Sequence, residues 1–137
     1  MMQSIANVPA EMLRKRNKFT VVATRIKPGE HTKPENDDEY MFFHIRIFLQ
    51  QGPNESDTLN YADIDKVTYE LDPTFRPRMR VSSDGNKQFE VRIWSYGFFK
   101  VNVTIFTRWG QIFEMRSKPI SWTVTDEERK WNGDEVK

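Results

Sequence analysis

Apolar residues recur at every second position through most of this chain, and that period restricts the fold more than any other feature. From Gln88 to Ile93, the side chains of Phe89, Val91 and Ile93 alternate with Gln88, Glu90 and Arg92. From Lys100 to Ile105, Val101, Val103 and Ile105 alternate with Lys100, Asn102 and Thr104. A period of two describes strands with one face on a core and the other in water. Asp65 to Leu71 repeats the pattern, with Val67, Tyr69 and Leu71 facing in. Met41, Phe43, Ile45, Ile47 and Leu49 share one face of a further strand. Its other face carries Tyr40, Phe42, His44, Arg46 and Phe48, which predicts a central strand covered on both sides. Phe19 to Ile26 is β-branched and strand-like. Gln111 to Met115 and Ile120 to Val124 complete the set, split at Pro119, a residue suited to an edge or a bulge.

Turn residues separate these runs: Pro28–Gly29, Gly52–Pro53–Asn54, Asp84–Gly85–Asn86 and Trp109–Gly110. Asp84–Gly85 lies between two extended runs and predicts a hairpin turn. Helical signals are confined to the ends. Pro9 to Arg16 can form a short helix, and Thr125 followed by Asp126, Glu127 and Glu128 has the form of an N-cap and acidic first turn, giving a helix over Thr125 to Trp131. The fold class is therefore all-β: an immunoglobulin-like sandwich of about seven to eight antiparallel strands with short terminal helices. The expected organisation is an N-terminal extension over 1–17, the sandwich over 18–124 and a charged helix or tail over 125–137.

A length of 137 residues suits one domain. Aromatic residues make up 13% of the chain, too many for a disordered one. With 21 Lys and Arg against 20 Asp and Glu, the net charge is +1, which weighs against a nucleic-acid binder despite the basic groups Arg14–Lys15–Arg16–Lys18 and Arg76, Arg78 and Arg80. There is no Cys, hence no disulfide, thiolate metal site or thiol nucleophile. No apolar run approaches the roughly 20 residues that span a bilayer, and no leader-like apolar segment stands at the start. The expected location is cytoplasmic.

Catalytic motifs are missing: no GxSxG, HExxH, Walker loop or GxGxxG occurs. His31 stands in a loop and His44 in a strand, and neither has a motif partner. Asp37–Asp38–Glu39 lacks the spaced oxygen ligands and turning Gly of a calcium loop and reads as a solvated acidic segment. The sequence predicts no enzyme, no cofactor and no metal site.

Two segments carry more information. One is Val67 to Arg80, a strand followed by Leu71–Asp72–Pro73–Thr74–Phe75–Arg76–Pro77. The other is a strand ending in Trp94–Ser95–Tyr96–Gly97–Phe98–Phe99, from which the next strand starts at once. This pair resembles the YEATS domain family, closest to its prokaryotic branch, over roughly Phe19 to Val124. The resemblance implies a reader of acylated lysine whose acyl group threads between two loop aromatics at one end of the sandwich. On that basis Thr74 supplies the hydroxyl that bonds the acyl amide, Phe75 and Tyr96 form the walls, and the backbone N–H near Tyr96–Gly97 meets the acyl carbonyl.

Asp72 stands where the family has a pocket histidine, and a carboxylate there would disfavour an anionic acyl group. The third family aromatic falls near Asn36 and Asp37, leaving Trp94 and Phe98 as candidates to replace a wall. The acidic Glu35 to Glu39 loop would attract a basic peptide. The implied partner is an acylated or unmodified lysine-containing peptide. The alternative is a structural or sensory interaction domain of a larger prokaryotic effector or defence protein, and a hydrolase on a sandwich scaffold ranks third.

Overall fold

The computed structural model describes residues 10–32, 40–53 and 55–132. Among the described residues seven strands form two antiparallel sheets that close on one core. The smaller sheet contains β1 (Thr20–Arg25), β2 (Phe43–Gln50) and β5 (Val91–Ser95), in the order β1-β2-β5. The larger contains β3 (Ile64–Glu70), β4 (Met79–Ser82), β6 (Phe99–Thr107) and β7 (Ile112–Ile120), in the order β4-β3-β6-β7. This is the immunoglobulin-like sandwich that the alternation predicts.

β2 is central in its sheet. Its inner face, Phe43, Ile45, Ile47 and Leu49, is wholly buried, as are Val67 and Tyr69 of β3 and Val101 and Ile105 of β6. Side chains of this size contribute about 1.5–3 kcal/mol each when removed from water. The expected cover on the outer face of β2 is not what the structure has. On that face Phe48 is buried and His44 and Arg46 are half-buried by neighbouring side chains: His44 lies flat on Trp94, with ring centroids 4.5 Å apart, and the Arg46 guanidinium sits 3.9 Å from the Phe48 ring centre. Long planar and charged side chains shield such a surface without a second layer.

Three strand boundaries differ from expectation. β4 is missing from the sequence pattern because its polarity is inverted: Ser82 is buried and Arg80 half-buried, whereas Met79 and Val81 are exposed. β5 begins at Val91, because Gln88 and Phe89 are both left-handed, at φ 57° and 55°. Phe89 is buried all the same, with its carbonyl accepting a 2.6 Å hydrogen bond from the Tyr69 hydroxyl. β7 runs unbroken through Pro119, which lies opposite Lys100 on an edge strand beside a register shift at Val101/Val103. Ile120 to Val124 is not a strand. Beyond Ile120 the chain is irregular up to the C-terminal helix, with Trp122 buried.

Asp84 does make a turn, capping a 3-10 helix over Gly85–Lys87. The turn is no hairpin, because β4 pairs with β3 and β5 with β2, so the chain crosses between sheets here.

The terminal helices are α1 (Ala10–Leu13) and α2 (Asp126–Asn132). α2 is anchored by a reciprocal cap. The Thr125 hydroxyl accepts from the Glu128 N–H at 3.1 Å, and the Glu128 carboxylate accepts from the Thr125 N–H at 3.0 Å. Glu128 also takes two bonds from Arg25 of β1, at 2.7 and 2.8 Å, with both side chains over nine-tenths buried. Before β1, Lys15 reaches Asp63 at 2.9 Å. Among the described residues no helix is long and apolar enough to cross a membrane. The expected acidic loop at Glu35 to Glu39, Asn36 and Asp37 included, lies outside the described residues, as do Pro9 and the last residues of the expected tail.

Two outcomes follow for stability. The hydrogen bond from Arg25 holds the Glu128 carboxyl at about 2 against the opposing effect of burial, with help from the Thr125 N–H. Because this lies below its ordinary value of 4.5, the pair stabilises the fold fully above that pH and ceases to as pH falls towards 2. Glu128→Gln is expected to lower the unfolding free energy at pH 7 by about 1–3 kcal/mol, the loss shrinking between pH 4.5 and 2 in urea titrations followed by Trp fluorescence. Tyr69→Phe, which orphans the buried Phe89 carbonyl, should cost about 1–3 kcal/mol in the same assay at neutral pH.

Candidate functional site

One end of the sandwich gathers the ends of β3 and β5 with the starts of β2, β4 and β6, as the pairings of Glu70 with Met79 and Asn102 and of Phe43 with Ser95 require. A cleft of about 670 Å³ opens there. Two connections line it. The first follows β3 and contributes Asp72, Thr74, Phe75 and Arg76. The second links β5 to β6 and contributes Trp94, Ser95, Tyr96, Gly97 and Phe98. All seven residues that the sequence singles out, Asp72, Thr74, Phe75, Trp94, Tyr96, Gly97 and Phe98, thus border a single cleft.

The 72–77 loop is shaped by Asp72. One carboxylate oxygen of Asp72 accepts from the Thr74 N–H at 3.1 Å and from the Thr74 hydroxyl at 2.9 Å, and its carbonyl accepts from the Phe75 N–H at 3.0 Å. Such Asx turns form because a short carboxylate reaches its own backbone two residues on. Because the Thr74 hydroxyl donates to Asp72, its lone pairs are left to accept. Asp72 is therefore a turn-former within the loop as well as a carboxylate bordering the cleft. Past a cis Arg76–Pro77 peptide, Leu71 and Arg78 rejoin at 2.9 Å between the Leu71 N–H and the Arg78 carbonyl.

The aromatic residues that border the cleft are backed by further rings. Tyr96 is half-buried and stacks on Tyr40 with centroids 4.3 Å apart and planes 12° off parallel, and Phe42 meets it edge-on at 5.5 Å. Phe75 leans on Phe99 at 5.2 Å. Phe98 meets the buried Trp122 edge-on at 4.7 Å, so it serves the core as well as the cleft. Trp94, 43% exposed, is held flat by His44, whose Nδ1 lies 3.1 Å from Glu30. The turn between the strands is tied by the Ser95 hydroxyl donating to the Gly97 carbonyl at 2.8 Å.

Six contributors escaped the sequence reading as site residues. Tyr40 and Phe42 were legible only as the outer face of β2, and Phe99 as the start of a strand. Arg76 and Arg80 stood out as basic residues without a place, and Arg92 as the wet face of β5. All but Tyr40 line the cleft. Arg92 is engaged with Glu90, whose carboxyl is held below its ordinary value by Arg92 and Arg46 although burial pushes it up. The histidines have other duties. His44 supports Trp94, and His31 lies 3.7 Å from a Glu128 already bound by Arg25.

A model of the prokaryotic YEATS domain matches residues 43–118, from the start of β2 almost to the end of β7 and across both connections that line the cleft. The chain belongs to the prokaryotic YEATS domain family. No curated protein matches it. Solved YEATS structures are similar in shape. A Yaf9 YEATS domain recognising an H3K122suc peptide is 17% identical, with a TM-score of 0.47, over 80% of this chain and 71% of that one. The yeast AF-9 homolog protein Yaf9 is 14% identical, with a TM-score of 0.49, over 80% and 66%. A Yaf9 YEATS domain bound to H3K27ac is 14% identical, with a TM-score of 0.48, over 78% and 70%.

The Asx turn makes the shape of this YEATS loop depend on one carboxylate. Asp72→Ala removes the acceptor for both the amide and the hydroxyl of Thr74. Hydrogen exchange at the Thr74 amide is expected to speed up about tenfold, with little change at β6.

Proposed function

We propose that this YEATS domain is a non-catalytic, cytoplasmic binding module that takes the acylated side chain of a peptide lysine into the cleft bordered by the 72–77 loop and the β5–β6 turn. The observation that carries the reading is the meeting of two supported aromatics, Phe75 on Phe99 and Tyr96 on Tyr40, with an oriented hydroxyl, Thr74, around one cleft.

The chemistry of acyl-lysine suits such a lining. Acylation removes the ammonium charge and leaves a flat amide with one donor and one acceptor. Ring faces accept a flat group, each contact adding about 0.5–1.5 kcal/mol beyond area burial. In this reading Thr74 Oγ1 accepts the amide N–H, and the backbone N–H at Tyr96–Gly97 donates to the acyl carbonyl, each bond adding about 1 kcal/mol net. Phe75 and Tyr96 hold the plane, Trp94 and Phe98 extend the apolar surface, and Asp72 fixes the Thr74 rotor. Rings already braced by neighbours lose little freedom on binding, which favours affinity. A ligand this small still binds at micromolar concentrations or weaker, because association alone costs several kcal/mol.

A second reading, an interaction domain of a larger effector protein, draws on the short edge strand β4, whose Met79 and Val81 are 48% and 57% exposed.

The test is an amide NMR titration with crotonyl-lysine, acetyl-lysine and unmodified lysine peptides. Saturable shifts at Thr74, Tyr96 and Gly97 are expected with the acylated forms only, weakened about tenfold or more in Phe75→Ala and Tyr96→Ala. Silence of every acyl form at millimolar ligand would overturn the reading.

A further inference from the structure

Among the described residues the charged ones that line the cleft are Asp72, Arg76, Arg80 and Arg92. Asp72 keeps its charge but gives one carboxylate oxygen to the Thr74 turn, and Arg92 is paired with Glu90. Arg76 and Arg80 are different. Among the described residues Arg76 donates to the Pro73 and Phe75 carbonyls, through one guanidinium nitrogen, and Arg80 donates through Nε to the Pro77 carbonyl. Among the described residues neither has a carboxylate within 4.0 Å. A guanidinium carries five N–H donors, so most of the capacity of both remains open. The chain as a whole is near neutral, at +1.

Ile93 and Ser95 are buried and Phe75, Phe98 and Phe99 half-buried, as is Arg80, whereas Arg76 is exposed. The floor of the cleft thus suits an uncharged group, with an exposed and a half-buried cation beside it. From this we infer that the peptide partner is acidic: glutamates or aspartates flank the lysine whose side chain enters the cleft, and Arg76 and Arg80 read them. The inference rests on the proposed lysine-reading cleft but reverses the charge that the acidic Glu35 to Glu39 segment suggests for the partner. A basic, lysine-rich flank would be repelled by the same cations.

The experiment is fluorescence anisotropy with crotonyl-lysine peptides of one length, flanked by glutamates, by glycine and serine, or by lysines. Two further probes are an acidic peptide with unmodified lysine and a succinyl-lysine peptide with neutral flanks. Affinity is expected to fall about tenfold from the acidic to the basic frame at 50 mM NaCl and to level out at 500 mM. In Arg76→Gln/Arg80→Gln the ratio should collapse towards one. In Arg76→Lys/Arg80→Lys, which keeps the charge and changes the loop bonds, it should persist. The inference is overturned by equal or tighter binding of the basic frame, by an ordering that survives the Gln pair, or by one lost equally in the Lys pair. It is also overturned if the neutral succinyl peptide matches the acidic crotonyl one, since the carboxylate would then be read on the acyl chain. If acidic peptides bind through the two arginines whether or not the lysine is acylated, the acidic partner stands and the acyl-lysine reading falls. If no peptide binds, both fall.

Discussion

The register of β2 against its neighbours governs everything else in this domain. Phe43, Ile45, Ile47 and Leu49 occupy one face with no exposure at all, and a slip of one residue would bring His44 and Arg46 into the core instead. With that register set, Ser95 must stand opposite Phe43 and Trp94 opposite His44. The β5–β6 turn is thereby delivered to the same end of the sandwich as the start of β2, and Tyr96 comes within stacking distance of Tyr40 and Phe42. The cleft is a consequence of core packing at some distance from it.

Its two sides are stabilised differently. Tyr96 is placed by ring contacts with Tyr40 and Phe42, just before β2, and Trp94 by His44 on the outer face of β2, where stacked and charged side chains shield the surface. Phe75 is placed by a loop whose shape comes from local hydrogen bonds to Asp72 and from the rejoining of Leu71 with Arg78. One side thus depends on tertiary packing and the other on turn chemistry. The rings on both sides of the cleft thus rest on neighbouring rings, Phe75 on Phe99 and Tyr96 on Tyr40.

Legibility in the sequence followed polarity. Strands that put apolar residues inward, such as Val101, Val103 and Ile105, were plain from their period. β4 was not, because its inward residues are Arg80 and Ser82 and its apolar ones face water. Phe89 kept the alternating pattern and is buried, yet it belongs to a left-handed turn, because burial alone does not distinguish a strand from a loop folded onto the core. Pro119 marked an edge correctly, but an edge strand needs no break to accommodate it, since the missing N–H has no partner to disappoint. In the cleft, Thr74, Phe75 and Tyr96 were visible through a resemblance of short motifs, whereas Tyr40, Phe99, Arg76 and Arg80 carry no local signal of a site.

The sequence by itself determined the two-sheet class, the turn positions and the capped C-terminal helix, because each depends on periodicity or on groups a few residues apart, such as Thr125 and Glu128. Only the tertiary structure decided which strands share a sheet, which aromatics brace the cleft and which charges stand beside it. Those depend on pairs far apart in the chain, Tyr40 with Tyr96 or Arg25 with Glu128, and such pairs are fixed by the packing of two sheets on one core.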